Sequence, residues 1–216
     1  LHAGPFWRSL TDHHGARHVL VALDGPDHLA LRRLHSEALS KVHVEAHRSG
    51  LEALVRDTFL ERVRGGCLPI AETCRLLIAR SVHKVLCPGS ESLEASIALD
   101  LIEGFRWESN ALLLRKWPRL AFGLPKYRRL RAVRERFIDS LVATAIDADD
   151  ANPSGWLGTV RTGRERFPRL FEMNDVRLDA LLPFVAGVDT VGATLAFALY
   201  ELHRDTALLA KVRDEV

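Results

Sequence analysis

The sequence predicts a mainly α-helical protein, and three observations carry that reading. Apolar residues recur with a helical period over nearly every segment. No stretch alternates apolar and polar residues as a half-buried strand would. The Gly, Pro and Asn/Asp clusters fall between long segments, where helices end. There is no repeat, low-complexity stretch or linker, so residues 1–216 are expected to form one helical unit.

Residues 1–23 are mixed, with Gly4-Pro5 and His13-His14-Gly15 as loop signals. A helix is expected from Pro26, whose fixed φ suits a first turn, with Leu31, Leu34 and Ala38 inward. A second runs from Val44 to Arg64 and stops at Gly65-Gly66. A third covers Pro69 to Leu86 and stops at Cys87-Pro88-Gly89. Ser92 to Arg115 reads as one long helix with Leu99, Ile102 and Phe105 inward. Trp117-Pro118 and Gly123-Leu124-Pro125 mark a loop before a basic amphipathic helix from Lys126 to Asp147. Residues 149–155 are a turn cluster, and 156–173 are weakly patterned. The longest helical pattern runs from Asn174 to Arg204, with Asn174-Asp175 as expected caps.

Composition bounds the function. The chain is 47% hydrophobic and 27% charged, which is globular and not disordered. A net charge of +2 gives no reason to expect nucleic acid. Three cysteines, without a C-x-x-C pair, favour free thiols in a reducing compartment, hence the cytoplasm. No run of ~18 or more uncharged apolar residues is present to span a membrane. An anchor before Leu1 stays open. His43 and His47 have metal-ligand spacing but lack a matching third ligand.

The segment 184–194 stands out. One face of its helix reads Pro183, Gly187, Thr190, Thr194, flanked by Ala186 and Ala193. Small residues at helical spacing let a ligand approach the backbone, and Asp189-Thr190 places a carboxyl–hydroxyl pair beside them. A mid-helix Thr190 can bond back to the Ala186 carbonyl. Pro183 removes an amide and crowds the Asp179 carbonyl, so a weakened helix is expected here. A large flat ligand should lie in a gap at Ala186 and Gly187. Upstream, His28 and Arg32 share a helix face and can both donate to a carboxylate.

The block Ala186-Gly187-Val188-Asp189-Thr190 resembles the helix I signature of the heme-thiolate monooxygenases, the cytochrome P-450 superfamily. Residues 199–202 and 208–216 resemble the end of that helix and the helix after it. The segment 23–34 resembles the start of the family's helix C, with its His-x-x-x-Arg. The resemblance implies the helical part of the cytochrome P-450 fold, without its N-terminal sheet region and C-terminal heme-ligand half. It implies a heme b cofactor and insertion of one atom of dioxygen into a small apolar substrate. His28 and Arg32 would bind a heme propionate, and Ala186 and Gly187 would lie against the macrocycle. Asp189 and Thr190 would deliver protons, and Phe105, Phe184 and Val188 would face the substrate. Electrons would come from a ferredoxin or a flavoprotein reductase. Residues 115–127, basic and aromatic, would sit at a membrane surface. The family's Cys ligand is expected beyond Val216, so no metal ligand is expected in this chain and the chain alone should be inactive. The sequence departs from the family's pattern at Val191 and Pro183. The alternative is a non-catalytic all-helical protein that binds a hydrophobic small molecule or a partner helix.

Overall fold

A computed structural model describes residues 4–36, 38–63, 66–87, 92–146 and 155–215. Its helices are α1 (Gly4–His13), α2 (Gly25–Ser36), α3 (Lys41–Glu45), α4 (Arg48–Arg62), α5 (Ile70–Leu86), α6 (Ala95–Glu108), α7 (Pro125–Ile146), α8 (Gly155–Arg166), α9 (Met173–Arg204) and α10 (Thr206–Glu215). Short 3-10 turns cover Leu20–Ala22, Arg119–Gly123 and Pro168–Leu170, and a π-helical turn covers Ser109–Leu113. The described residues contain no β-strand, so the mainly α class holds.

α9 is the axis of the molecule. α5 packs along it, and α7 and α8 flank it. α2 docks on α8, and α6 pairs with α7. One apolar core joins these helices, built on Leu31, Leu76, Leu101, Phe137, Leu157, Leu181, Phe184 and Val188. Burying such side chains contributes about 1.5–3 kcal/mol each.

Several elements differ from the sequence reading. α1 lies within the mixed N-terminal segment; of its residues with a described side chain it buries Gly4, Leu10 and Thr11, too few to show a period. The expected Val44–Arg64 helix is two, broken at Ala46-His47. The Ser92–Arg115 helix begins at Ala95 and ends in the π turn at Leu113. α8 occupies the weakly patterned 156–173 region. Its Gly163 is there for packing: a Cβ would fall 2.5 Å from Phe171 Cε2 and 2.8 Å from Leu34 Cδ2. Leu99 and Leu34 are half-buried against the core, not inside it. The turns read at Gly65, Pro88-Gly89 and 149–154 lie outside the described residues.

Asp175 is not a helix cap. α9 starts at Met173, and Asp175 is 1% exposed. Its Oδ1 accepts the amide N–H groups of Arg17 (2.5 Å) and His18 (2.7 Å), and its Oδ2 lies 3.1 Å from His18 Nδ1. A buried carboxylate thus holds the loop after α1, with Asn174 Nδ2 donating to the Gly15 carbonyl at 3.2 Å.

Candidate functional site

α9 presents two faces of opposite character. Phe184, Val188, Gly192 and Ala196 succeed one another at four-residue steps and are all buried. Ala186, Thr190, Ala193 and Thr194 point outward and are exposed. Each residue turns about 100° around a helix, so Phe184 and Val188 stand about 200° from Ala186. Phe184 is 3% and Val188 4% exposed. Phe184 meets Phe137 edge-on, with ring centroids 5.2 Å apart, and His83 at 6.4 Å. Both are core residues, and the structure does not bring them to the face of Ala186. Phe105 is half-buried and packs against the same core.

The expected gap is an open face. Ala186 is exposed and Gly187 half-buried; the nearest atom to a Cβ at Gly187 is Val82 Cγ2, at 3.8 Å. The close approach is at Gly192 instead. A Cβ there would lie 2.9 Å from Arg75 Cα and 3.2 Å from Arg75 N, so α5 and α9 cross backbone against backbone at this residue. Reading the small residues as a ligand face missed this one, because a helix crossing leaves the same mark in a sequence.

Asp189 and Thr190 part company. Asp189 Oδ1 accepts Arg75 Nε–H at 2.7 Å, an ion pair with the carboxylate side chain 53% exposed. Thr190 Oγ1 makes no hydrogen bond to another described residue; its carbonyl accepts the Thr194 hydroxyl at 2.9 Å. The expected bond from Thr190 to Ala186 is therefore made one turn later, by Thr194.

Pro183 does not break α9, which is continuous over 32 residues. The carbonyl it deprives of an amide is that of Asp179. That carbonyl accepts the Trp156 Nε1–H at 2.8 Å. Trp156 also stacks on His35, with ring centroids 4.0 Å apart and planes 13° apart. His35 Nδ1 lies 2.6 Å from Thr159 Oγ1, and His35 Nε2 lies 2.9 Å from Asp179 Oδ2. Thr159 gives its own proton to the Trp156 carbonyl at 2.7 Å. Imidazole and carboxylate are both buried, and the pair ties α2 to α9 two turns before Ala186.

On α2, His28 is half-buried and its Nδ1 meets the Leu20 carbonyl at 3.1 Å. Arg32 is exposed and has no carboxylate partner among the described residues. No hydrogen bond or ion pair joins His28 or Arg32 to α9 among the described residues.

A second polar cluster, unmarked in the sequence, lies under α1. Glu108 is fully buried and accepts the Tyr127 hydroxyl (2.6 Å) and the Arg134 guanidinium; His14 Nε2 lies 3.1 Å from its other oxygen. His13 Nε2 lies 3.1 Å from the Tyr127 oxygen. Burial foremost, then Arg134, pulls the His14 pKa down to about 3. Burial, His14 and Arg134, in that order, pull His13 down to about 4. Glu108 precedes the π turn, so a sequence scan meets it as one more helical acid.

Among the described residues, no three of His, Cys, Asp and Glu gather as metal ligands. Cys67 is exposed, while Cys74 and Cys87 are buried; burial pushes the Cys87 thiol up to about 12. The loop side chains Leu114, Trp117, Leu120 and Leu124 are exposed among basic residues. α9 has the length and composition of a membrane span, although its inner stripe is core. No protein-family model matches the chain, and no curated protein matches it.

Proposed function

We propose that this chain forms the helical part of a heme-dependent monooxygenase that inserts one atom of dioxygen into an apolar organic substrate. The observation that carries this reading is the outer face of α9. It is a strip of small residues, exposed at Ala186, Thr190 and Ala193 and half-buried at Gly187, with the Asp189 carboxylate at its edge.

The donor set suits a flat carboxylate-bearing macrocycle in part. Ala186 and Gly187 would let the plate approach the backbone. Arg32, without an acid partner among the described residues, would take a propionate through its planar fork, and the His28 ring nitrogen turned away from Leu20 would serve as second donor. Burial pushes the thiols of Cys74 and Cys87 up, away from the thiolate form. Bound heme would supply dioxygen activation. Thr190 has a hydroxyl free to donate on that face, and exposed Asp189 can take protons from solvent, within one water of a donor's reach. Arg75 fixes the Asp189 carboxylate until it moves. A ferredoxin or a flavoprotein reductase would supply electrons. Residues 115–127 would rest on a membrane surface from the cytoplasmic side.

One observation favours a second reading. The same face continues through Phe197 and Tyr200, which are 65% and 55% exposed, as a seat for a partner helix would. Hemin titration separates the two. On the monooxygenase reading, the Soret band of hemin saturates at one equivalent. Affinity falls about tenfold, or ~1.4 kcal/mol, in Arg32→Ala, and binding is lost in Ala186→Trp. Carbon monoxide gives no thiolate-type band with this chain. Titration without saturation, or indifference to both substitutions, refutes the heme reading and leaves the partner helix.

A further inference from the structure

A cleft of about 580 Å³ opens between α2 and α8, apart from the outer face of α9. Small-molecule sites run to about 300–1,000 Å³. The two helices run antiparallel along it. His43 lies against Gly155, His35 on Thr159, Leu34 against Gly163, and Asp27 pairs with Arg169 at 2.5 Å. Gly155 and Gly158 leave one wall without side chains.

Two cations face it. Arg33 and Arg166 line the cleft together with the imidazole of His43, and among the described residues no carboxylate does. Arg33 and Arg166 are exposed and have no acid partner among the described residues, although Arg169, three residues on, has one in Asp27. The buried Asp179 carboxylate is turned to His35. Leu34 and Phe167 add an apolar wall. The floor is rigid, because the Thr159 oxygen is held by His35 on one side and the Trp156 carbonyl on the other.

We propose that this cleft binds a small organic anion, with a carboxylate or phosphate monoester head on Arg33 and Arg166 and a compact apolar body on Leu34 and Phe167. Two guanidinium groups lining one cleft offer an anion two donors, and the planar fork of Arg matches either head group. The apolar wall gives an organic ion an advantage over inorganic phosphate. This site does not depend on heme, and its test is read on the chain without it.

Isothermal titration of the full chain with phenyl phosphate, benzoate and phenol tests the proposal. Saturable one-to-one binding of phenyl phosphate or benzoate is expected, at least tenfold tighter than phenol. Arg33→Gln and Arg166→Gln should each weaken it tenfold or more. Arg164→Gln, an exposed arginine of α8 outside the cleft lining, should leave it unchanged. Circular dichroism of each variant reports its fold, and exposed arginines of this kind can be replaced without loss of the core. The proposal fails if neither anion saturates, if phenol binds equally well, or if both cleft variants retain wild-type affinity.

Discussion

The indole N–H of Trp156 reaches the Asp179 carbonyl at 2.8 Å, the acceptor that Pro183 leaves without an amide in α9. A proline inside a helix costs about 3 kcal/mol or more when nothing replaces the lost bond. Here α8 supplies the replacement from 23 residues upstream, and the helix runs on.

A double-mutant cycle follows from that contact. Trp156→Phe should lower stability in chemical denaturation by several kcal/mol, through lost packing and an orphaned carbonyl worth about 1–3 kcal/mol. Pro183→Ala restores an amide at the carbonyl. In that background Trp156→Phe should cost at least about 1 kcal/mol less. Equal costs in the two backgrounds would remove the link between Trp156 and Pro183.

The two glycines of the 187–192 segment should respond oppositely to alanine. At Gly192 the added Cβ meets the Arg75 backbone at 2.9 Å, and neither helix can yield by a rotamer change. Overpacking of this kind costs about 1–3 kcal/mol, against a helix-propensity gain of at most about 1 kcal/mol. Gly192→Ala should therefore destabilise. Gly187→Ala meets only Val82 at ordinary contact distance and should be neutral or stabilising by up to about 1 kcal/mol. Urea midpoints of the two variants decide the matter.

Acid should loosen the molecule through the cluster under α1. His13 and His14 have folded pKa values of about 4 and about 3, below the ordinary 6.5. Between about pH 6.5 and about pH 4 the unfolded chain binds protons that the folded one does not, so stability falls as pH falls through that window. The melting temperature should drop across it. His13→Gln combined with His14→Gln keeps donors for Tyr127 and Glu108 and should flatten the drop. A double variant with an undiminished slope would assign the acid sensitivity to other groups.

The helical class and the position of α9 were legible in the sequence, because α9 buries a regular stripe from Val176 to Ala196. α8 was not, because Gly158 and Gly163 blur its period; it is helical through its docking on Leu34, Phe171 and α9. The polar ties were illegible for a different reason. Asp175 meets residues 157 and 158 positions away, and Asp189 meets Arg75 across 114. Local pattern carries no trace of such distances, so Asp175 reads as a cap. Ala186, Thr190 and Arg32 were identifiable as outward groups of distinct chemistry. That Phe184 and Val188 oppose Ala186 could have been read from the helical period alone.

Asp175, Arg177 and Asp179 bolt the first turns of α9 to three different neighbours: the 17–18 loop, Glu135 and Asp139 of α7, and His35 of α2. A cylinder fastened on three sides cannot roll about its own axis. The azimuth of Ala186 and Thr190, two to three turns further along, is set there. Whatever settles on that strip must be accommodated by side-chain motion or by displacement of whole helices, never by rotation of α9 to meet it.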